Sequence, residues 1–168
     1  MAPDGTWRYQ WPAGSRFLAE IADLVPVAGR RVIDLGCGQG RLGRWALQAG
    51  AAEVLFADHS AEALDLIPDL PGARRLVHAW GDPLPPCDVL LGGDILYRAS
   101  LFPLLLDSVA SALTAPAASA WLVDPRTHLE PELPGLAAAR GLRWDSQRRT
   151  AGYTLVCVGL LPCGMQVV

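Results

Sequence analysis

The stretch Val32-Ile33-Asp34-Leu35-Gly36-Cys37-Gly38-Gln39-Gly40 decides the fold. It opens as a short β-branched and aliphatic run and ends in a glycine cluster. Behind it Leu42, Trp45, Ala46 and Ala49 recur at helical spacing until Gly50 stops them. That order reads strand, tight loop, helix. Three alternate glycines let the backbone turn sharply and come close to a ligand, and the helix starting near Arg41 aims amide donors at it.

The same unit repeats outward from this point. Residues 53–57 make a second strand closed by Asp58, and Ser60 is placed to cap a helix over 61–67 that Pro68 terminates. Residues 75–79 and 89–92 give a third and a fourth strand. Ser100 is placed to cap a helix over 101–113, with Pro103 harmless in its first turn. A fifth strand over 118–123 leads into a looser, Pro-broken helix that Gly141 stops. Residues 142–146 and 153–161 are then consecutive strands joined by a polar turn, a hairpin. Strand–helix repeats of this kind build an α/β fold: a single Rossmann-like doubly wound sheet, mostly parallel, with a C-terminal antiparallel β-hairpin and seven strands in all. No linker divides it, so one domain is expected over 1–168, with an N-terminal segment and helix over 1–29 and the Rossmann-like core over 30–168.

Composition narrows the chemistry. With 168 residues, 51% of them hydrophobic and 18% charged, the chain can bury a full core. Its 14 cationic side chains against 17 acidic ones leave a net charge of −3, which argues against a nucleic-acid surface. All the cations are Arg. The absence of Lys excludes a Walker-type phosphate loop and Schiff-base catalysis, both of which need the amine. The cysteines at 37, 87, 157 and 163 and the histidines at 59, 78 and 128 do not form a metal-ligand spacing, so no metal is expected. Residues 1–10 carry Asp4 and Arg8 without an apolar core, and the longest apolar run is too short to span a bilayer; a cytoplasmic protein with no membrane partner is expected.

Two details separate this glycine loop from a dinucleotide loop. The spacing is G-x-G-x-G rather than G-x-G-x-x-G, and Asp34 stands just before it. A carboxylate there repels a pyrophosphate and welcomes a cationic ammonium group. The expected ligand is nucleoside-like, positive at that end, with its ribose held by Asp58 at the end of the second strand.

Asp34-Leu35-Gly36-Cys37-Gly38-Gln39-Gly40 resembles motif I of the seven-strand, class I S-adenosylmethionine-dependent methyltransferases, and Asp58 falls where that family has its ribose-binding acid. Tyr9-Gln10-Trp11-Pro12-Ala13-Gly14, Trp80-Gly81-Asp82 and Gly93-Asp94-Ile95-Leu96-Tyr97 are similar to the small protein-lysine methyltransferases that act on chaperones and on the electron transfer flavoprotein β-subunit; Asp124-Pro125-Arg126 resembles the flavoprotein-modifying branch. The resemblance implies S-adenosyl-L-methionine as cofactor, bound by Trp11, Asp34, Gly36, Cys37, Gly38, Gly40, Asp58, His59, Trp80 and Asp94. It also implies that Asp94 and Tyr97 face the reacting amine.

The function expected is methyl transfer to an amine nitrogen, a protein lysine in preference to a small amine, by a monomer. Alternatives are a small-molecule N- or O-methyltransferase and a non-catalytic cofactor-binding regulatory subunit. Nucleic-acid methylation ranks below these, because Asp94 is followed by Ile95 and Leu96 rather than by two prolines and an aromatic. No residue stands out as a dedicated base; His78 and His128 are the nearest candidates.

Overall fold

The structure, a computed structural model, describes residues 14–15, 18–19, 22–125, 132–148 and 152–161. Seven strands form one sheet: β1 (Arg31–Leu35), β2 (Glu53–Asp58), β3 (Ala73–Val77), β4 (Val89–Gly93), β5 (Ser119–Asp124), β6 (Leu142–Arg148) and β7 (Thr154–Leu160). Their spatial order is β3-β2-β1-β4-β5-β7-β6. The five strands from β3 to β5 run parallel, whereas β7 is antiparallel to both β5 and β6. The helices are α1 (Arg41–Gln48), α2 (Ala61–Asp65), α3 (Phe102–Ala112) and α4 (Leu133–Ala138). No helix among the described residues is long and apolar enough to cross a membrane.

Strands covered on both faces read as continuous apolar runs, and neighbouring residues divide between two cores. Val32, Val54, Phe56 and Leu91 join Leu42 and Ala46 of α1 on one side. Ile33, Leu55 and Leu90 join Leu105, Leu106 and Val109 of α3 on the other. The chain reverses strand order between β1 and β4, so the loops leaving these two strands part to opposite faces and open a crevice at their carboxyl ends.

Most element ends shift by a residue or two from the sequence expectation, and those of β3, α2 and α3 have identifiable causes. β3 begins at Ala73, two residues early, because Gly72 turns at φ 79 with its carbonyl on the Val54 amide, setting Ala73 opposite Val54. It ends at Val77, the partner of Asp58, where β2 itself ends. α2 stops at Asp65 rather than 67, although Ser60 does cap it, accepting from the Ala63 amide at 3.2 Å. Ser100 does not cap α3; the chain enters that helix through a 3-10 turn, Ala99–Leu101, and the cap position falls on Leu101.

Candidate functional site

The loop from Gly36 to Gly40 is built for close approach. Gly36, Gly38 and Gly40 hold φ of 63, 50 and 72, the left-handed region that disfavours side chains. The Gly36 and Cys37 amides donate to the Ala57 carbonyl at 2.8 and 3.2 Å, pinning the loop to the end of β2. A Cβ on Gly40 would stand 2.9 Å from the Phe56 ring, so only glycine lets α1 start over that fully buried aromatic. The Cys37 thiol is pushed well above its ordinary range by burial, with Asp34 and Asp58 adding to the shift; it fills the turn as a neutral group.

Two acids brace this loop. Asp34 is 2% exposed, and its Oδ2 accepts from the Gly43 amide at 2.7 Å, inside the first turn of α1. Burial pushes its carboxyl up to about 7, against the opposing pull of that amide. Asp58 Oδ2 accepts from the Gly38 amide at 2.8 Å and Oδ1 from the Ser60 amide at 2.9 Å, with His59 Nδ1 at 3.2 Å from Oδ1. A carboxylate offers about four lone-pair sites, so Asp58 retains acceptor capacity beside the loop.

The turn after β4 closes over the same loop. Asp94 is 7% exposed and, at φ 57, is the one non-glycine with positive φ among the described residues. Asp and Asn tolerate that conformation better than other side chains. Its amide donates to the Val123 carbonyl at 2.8 Å, and buried Ile95 reaches so near the glycine loop that a Cβ on Gly36 would meet its Cγ2 at 2.8 Å. Asp124, wholly buried at the end of β5, accepts from the Leu96 amide at 3.0 Å. Sequence reasoning noticed Asp124 only through resemblance; its work as a strut under this turn is a finding of the structure.

Tyr97 and Trp80, both half-buried, meet with ring centroids 5.9 Å apart and planes at 51°. Arg98 lies over the outer part of this pair, its Cζ 5.8 Å from the Tyr97 centroid. The structure therefore gathers Asp34, Gly36, Cys37, Gly38, Gly40 and Asp58 at the ends of β1 and β2. Asp94, Tyr97 and Trp80 follow at the ends of β4 and β3, and His59 is exposed at the rim. Trp11 and His128 lie outside the described residues. Gly14 is described and sits against Gly93, 3.7 Å from where a Cβ there would stand. His78 is buried against Ser108, a bonded core histidine. A cavity of about 400 Å³ behind α1, lined by Arg44, Leu47, Gln48, Pro68, Leu70 and Pro71, shares no residue with this cluster.

The methyltransferase small domain family matches residues 9–69. The electron transfer flavoprotein beta subunit lysine methyltransferase of Xenopus laevis is 32% identical over 132 residues, 73% of this chain and 53% of that protein. The ribosomal protein L11 methyltransferase of Stenotrophomonas maltophilia is 33% identical over 103 residues, 60% of this chain and 32% of that protein. The chain thus spans about half the length of the first relative and a third of the second. Among solved structures, magnesium protoporphyrin IX methyltransferase from Synechocystis, with S-adenosylmethionine bound, superposes with a TM-score of 0.67 at 17% identity, covering 89% of this chain and 78% of that one; this likeness is one of fold.

Proposed function

Because the chain belongs to the class I S-adenosylmethionine-dependent methyltransferases, we propose that it transfers a methyl group to an amine nitrogen, with a protein lysine as the acceptor. The observation that carries this reading is the closure of the Asp94 turn over the glycine loop, which brings a buried acid to the crevice where strand order reverses.

The residues present fit such a cofactor. Asp58 has acceptor capacity for ribose hydroxyls, the bare backbone of Gly36 to Gly40 admits close contact, and Trp80 offers an indole face beside Tyr97 for the base. When bound, S-adenosylmethionine supplies a methyl group made electrophilic by its sulfonium.

The protein's own task is then positioning and exclusion of water, the usual source of most acceleration when no covalent enzyme intermediate is needed. Asp94 accepts a hydrogen bond from the incoming nitrogen, aligns its lone pair and stabilises the positive charge that develops there. The same carboxylate also favours the protonated amine, which cannot attack, so the proton must leave through water or the acceptor's surroundings. Tyr97 borders the path of the amine. The closeness in sequence to the flavoprotein-subunit enzyme supports a lysine acceptor.

Incubating the protein with tritiated S-adenosylmethionine and a fractionated lysate tests the proposal. Base-stable label on a protein, recovered as methyl-lysine after hydrolysis, is the expected result. Label confined to small molecules would replace lysine by a free amine. Cofactor binding without transfer in any fraction would overturn the catalytic reading.

A further inference from the structure

The turn after β3 is held by a hydrogen-bond hub that the roles above do not use. Ser108, fully buried on α3, accepts from the Gly81 amide at 2.9 Å and donates to the Asp82 carbonyl at 3.2 Å. His78 Nε2 lies 3.1 Å from the same hydroxyl. With the hydroxyl proton directed at Asp82, the imidazole must carry its proton on Nε2 and donate. Burial lowers the pKa of His78, which keeps the ring neutral and suits that role.

The hub reaches three elements. The His78 amide donates to the Asp58 carbonyl at 2.9 Å, joining it to the end of β2. One helical turn beyond Ser108, Ser111 accepts from the Leu84 amide at 2.9 Å. Gly81, at φ 100, brings the chain so close to α3 that a Cβ would meet Leu104 Cδ2 at 3.0 Å. Trp80 sits between the two anchored positions, His78 and Gly81, and packs on Tyr97 from the turn after β4. A hydroxyl buried on an otherwise apolar helix face, with its bonds directed to one short turn, fixes that turn's place rather than filling the core.

We propose that Ser108, together with His78, is a positioning residue for nucleoside recognition, holding residues 79–82 so that Trp80 presents a preset indole face to the adenine. The proposal rests on the reading of Trp80 as the adenine wall. A wall that is loose beforehand must be ordered on binding, and affinity falls accordingly.

A double-mutant cycle read by calorimetry with S-adenosylhomocysteine tests it. Ser108→Ala and Trp80→Ala should each weaken binding about tenfold, and the double variant should bind no more weakly than Trp80→Ala alone. His78→Gln, which keeps a donor near Nε2, should bind close to wild type, while His78→Leu should follow Ser108→Ala. In the ligand-free protein, the near-ultraviolet dichroism of the Trp80–Tyr97 pair should be lost in Ser108→Ala. Wild-type affinity and dichroism in Ser108→Ala, or an undiminished loss in the Trp80→Ala background, would overturn the proposal while leaving the adenine wall standing. Trp80→Ala binding like wild type would remove the wall and the proposal with it. Should Ser108→Ala fail to fold, the contrast between His78→Gln and His78→Leu decides: equal affinity in the two defeats the clamp.

Discussion

At the scale of single residues, each acid at the site has a distinct environment and therefore a distinct expected failure. Asp58 takes two backbone amides, from Gly38 and Ser60, so Asp58→Ala removes both the proposed ribose acceptor and the pin on the glycine loop. Binding of S-adenosylhomocysteine should weaken by at least about tenfold, the scale of one charge-assisted hydrogen bond; unchanged affinity by calorimetry would remove Asp58 from the site. Asp94→Asn preserves a side chain that tolerates φ 57 while removing the charge. Turnover should fall by roughly 10² to 10³ with cofactor affinity nearly retained, and equal losses in both would make Asp94 structural. Gly38→Val places a β-branched side chain at φ 50, a strain of about 1–2 kcal/mol, in the loop proposed to hold the cofactor. Cofactor binding should disappear in a thermal-shift titration. The sequence singles out most of these residues as candidates because glycines and acids at strand ends have few other uses. Ser108 was not: a serine in the run Leu104-Leu105-Leu106-Asp107-Ser108-Val109 carries no sign of what its hydroxyl meets until β3 and α3 are packed.

At the scale of elements, α1 depends on an acid that is uncomfortable where it sits. Asp34 satisfies the Gly43 amide in the first turn, yet burial lifts its carboxyl to about 7. In the unfolded chain the group returns to the ordinary carboxylate range. Between these two values the folded protein holds a proton that the unfolded chain has released, so stability falls as pH rises, and the loss is complete once pH passes the folded value. From pH 5 to pH 7.5 this one group should cost about 2–3 kcal/mol. Asp34→Asn cannot ionise, so the melting temperature of the wild type relative to this variant should drop across that range. A constant gap between the two would mean that Asp34 is charged throughout. Element ends were less legible than elements. The start of β3 is set by Gly72 pairing through its carbonyl to Val54, a contact between strands that the exposed Arg74-Arg75 pair does not announce. Ser100 has the right residue type for a cap but lies inside a 3-10 turn rather than at the helix start.

At the scale of the whole molecule, the order β3-β2-β1-β4-β5-β7-β6 separates what binds from what only supports. Every candidate site residue that is described lies at the ends of β1 to β4 or in the loops that follow them, while β7 and β6 close the other side of the sheet. The hairpin could be read from two strands with no helix between them, but its insertion order could not: β7 pairs with β5 through Leu122↔Val156 and leaves β6 at the edge, an outcome of tertiary pairing. The two ends should therefore respond independently to substitution. Leu142 on β6 is 1% exposed in the same core as Leu105 and Val158, so Leu142→Ala should cost roughly 2–5 kcal/mol through lost burial and the cavity left behind. Measured well below its lowered melting temperature, the variant should bind S-adenosylhomocysteine with wild-type affinity, because β5 and β7 stand between the edge strand β6 and the strand ends that carry the candidate site. A matching loss of affinity in the still-folded variant would mean that the edge of the sheet reaches the crevice, and that the division between support and site drawn from strand order is wrong.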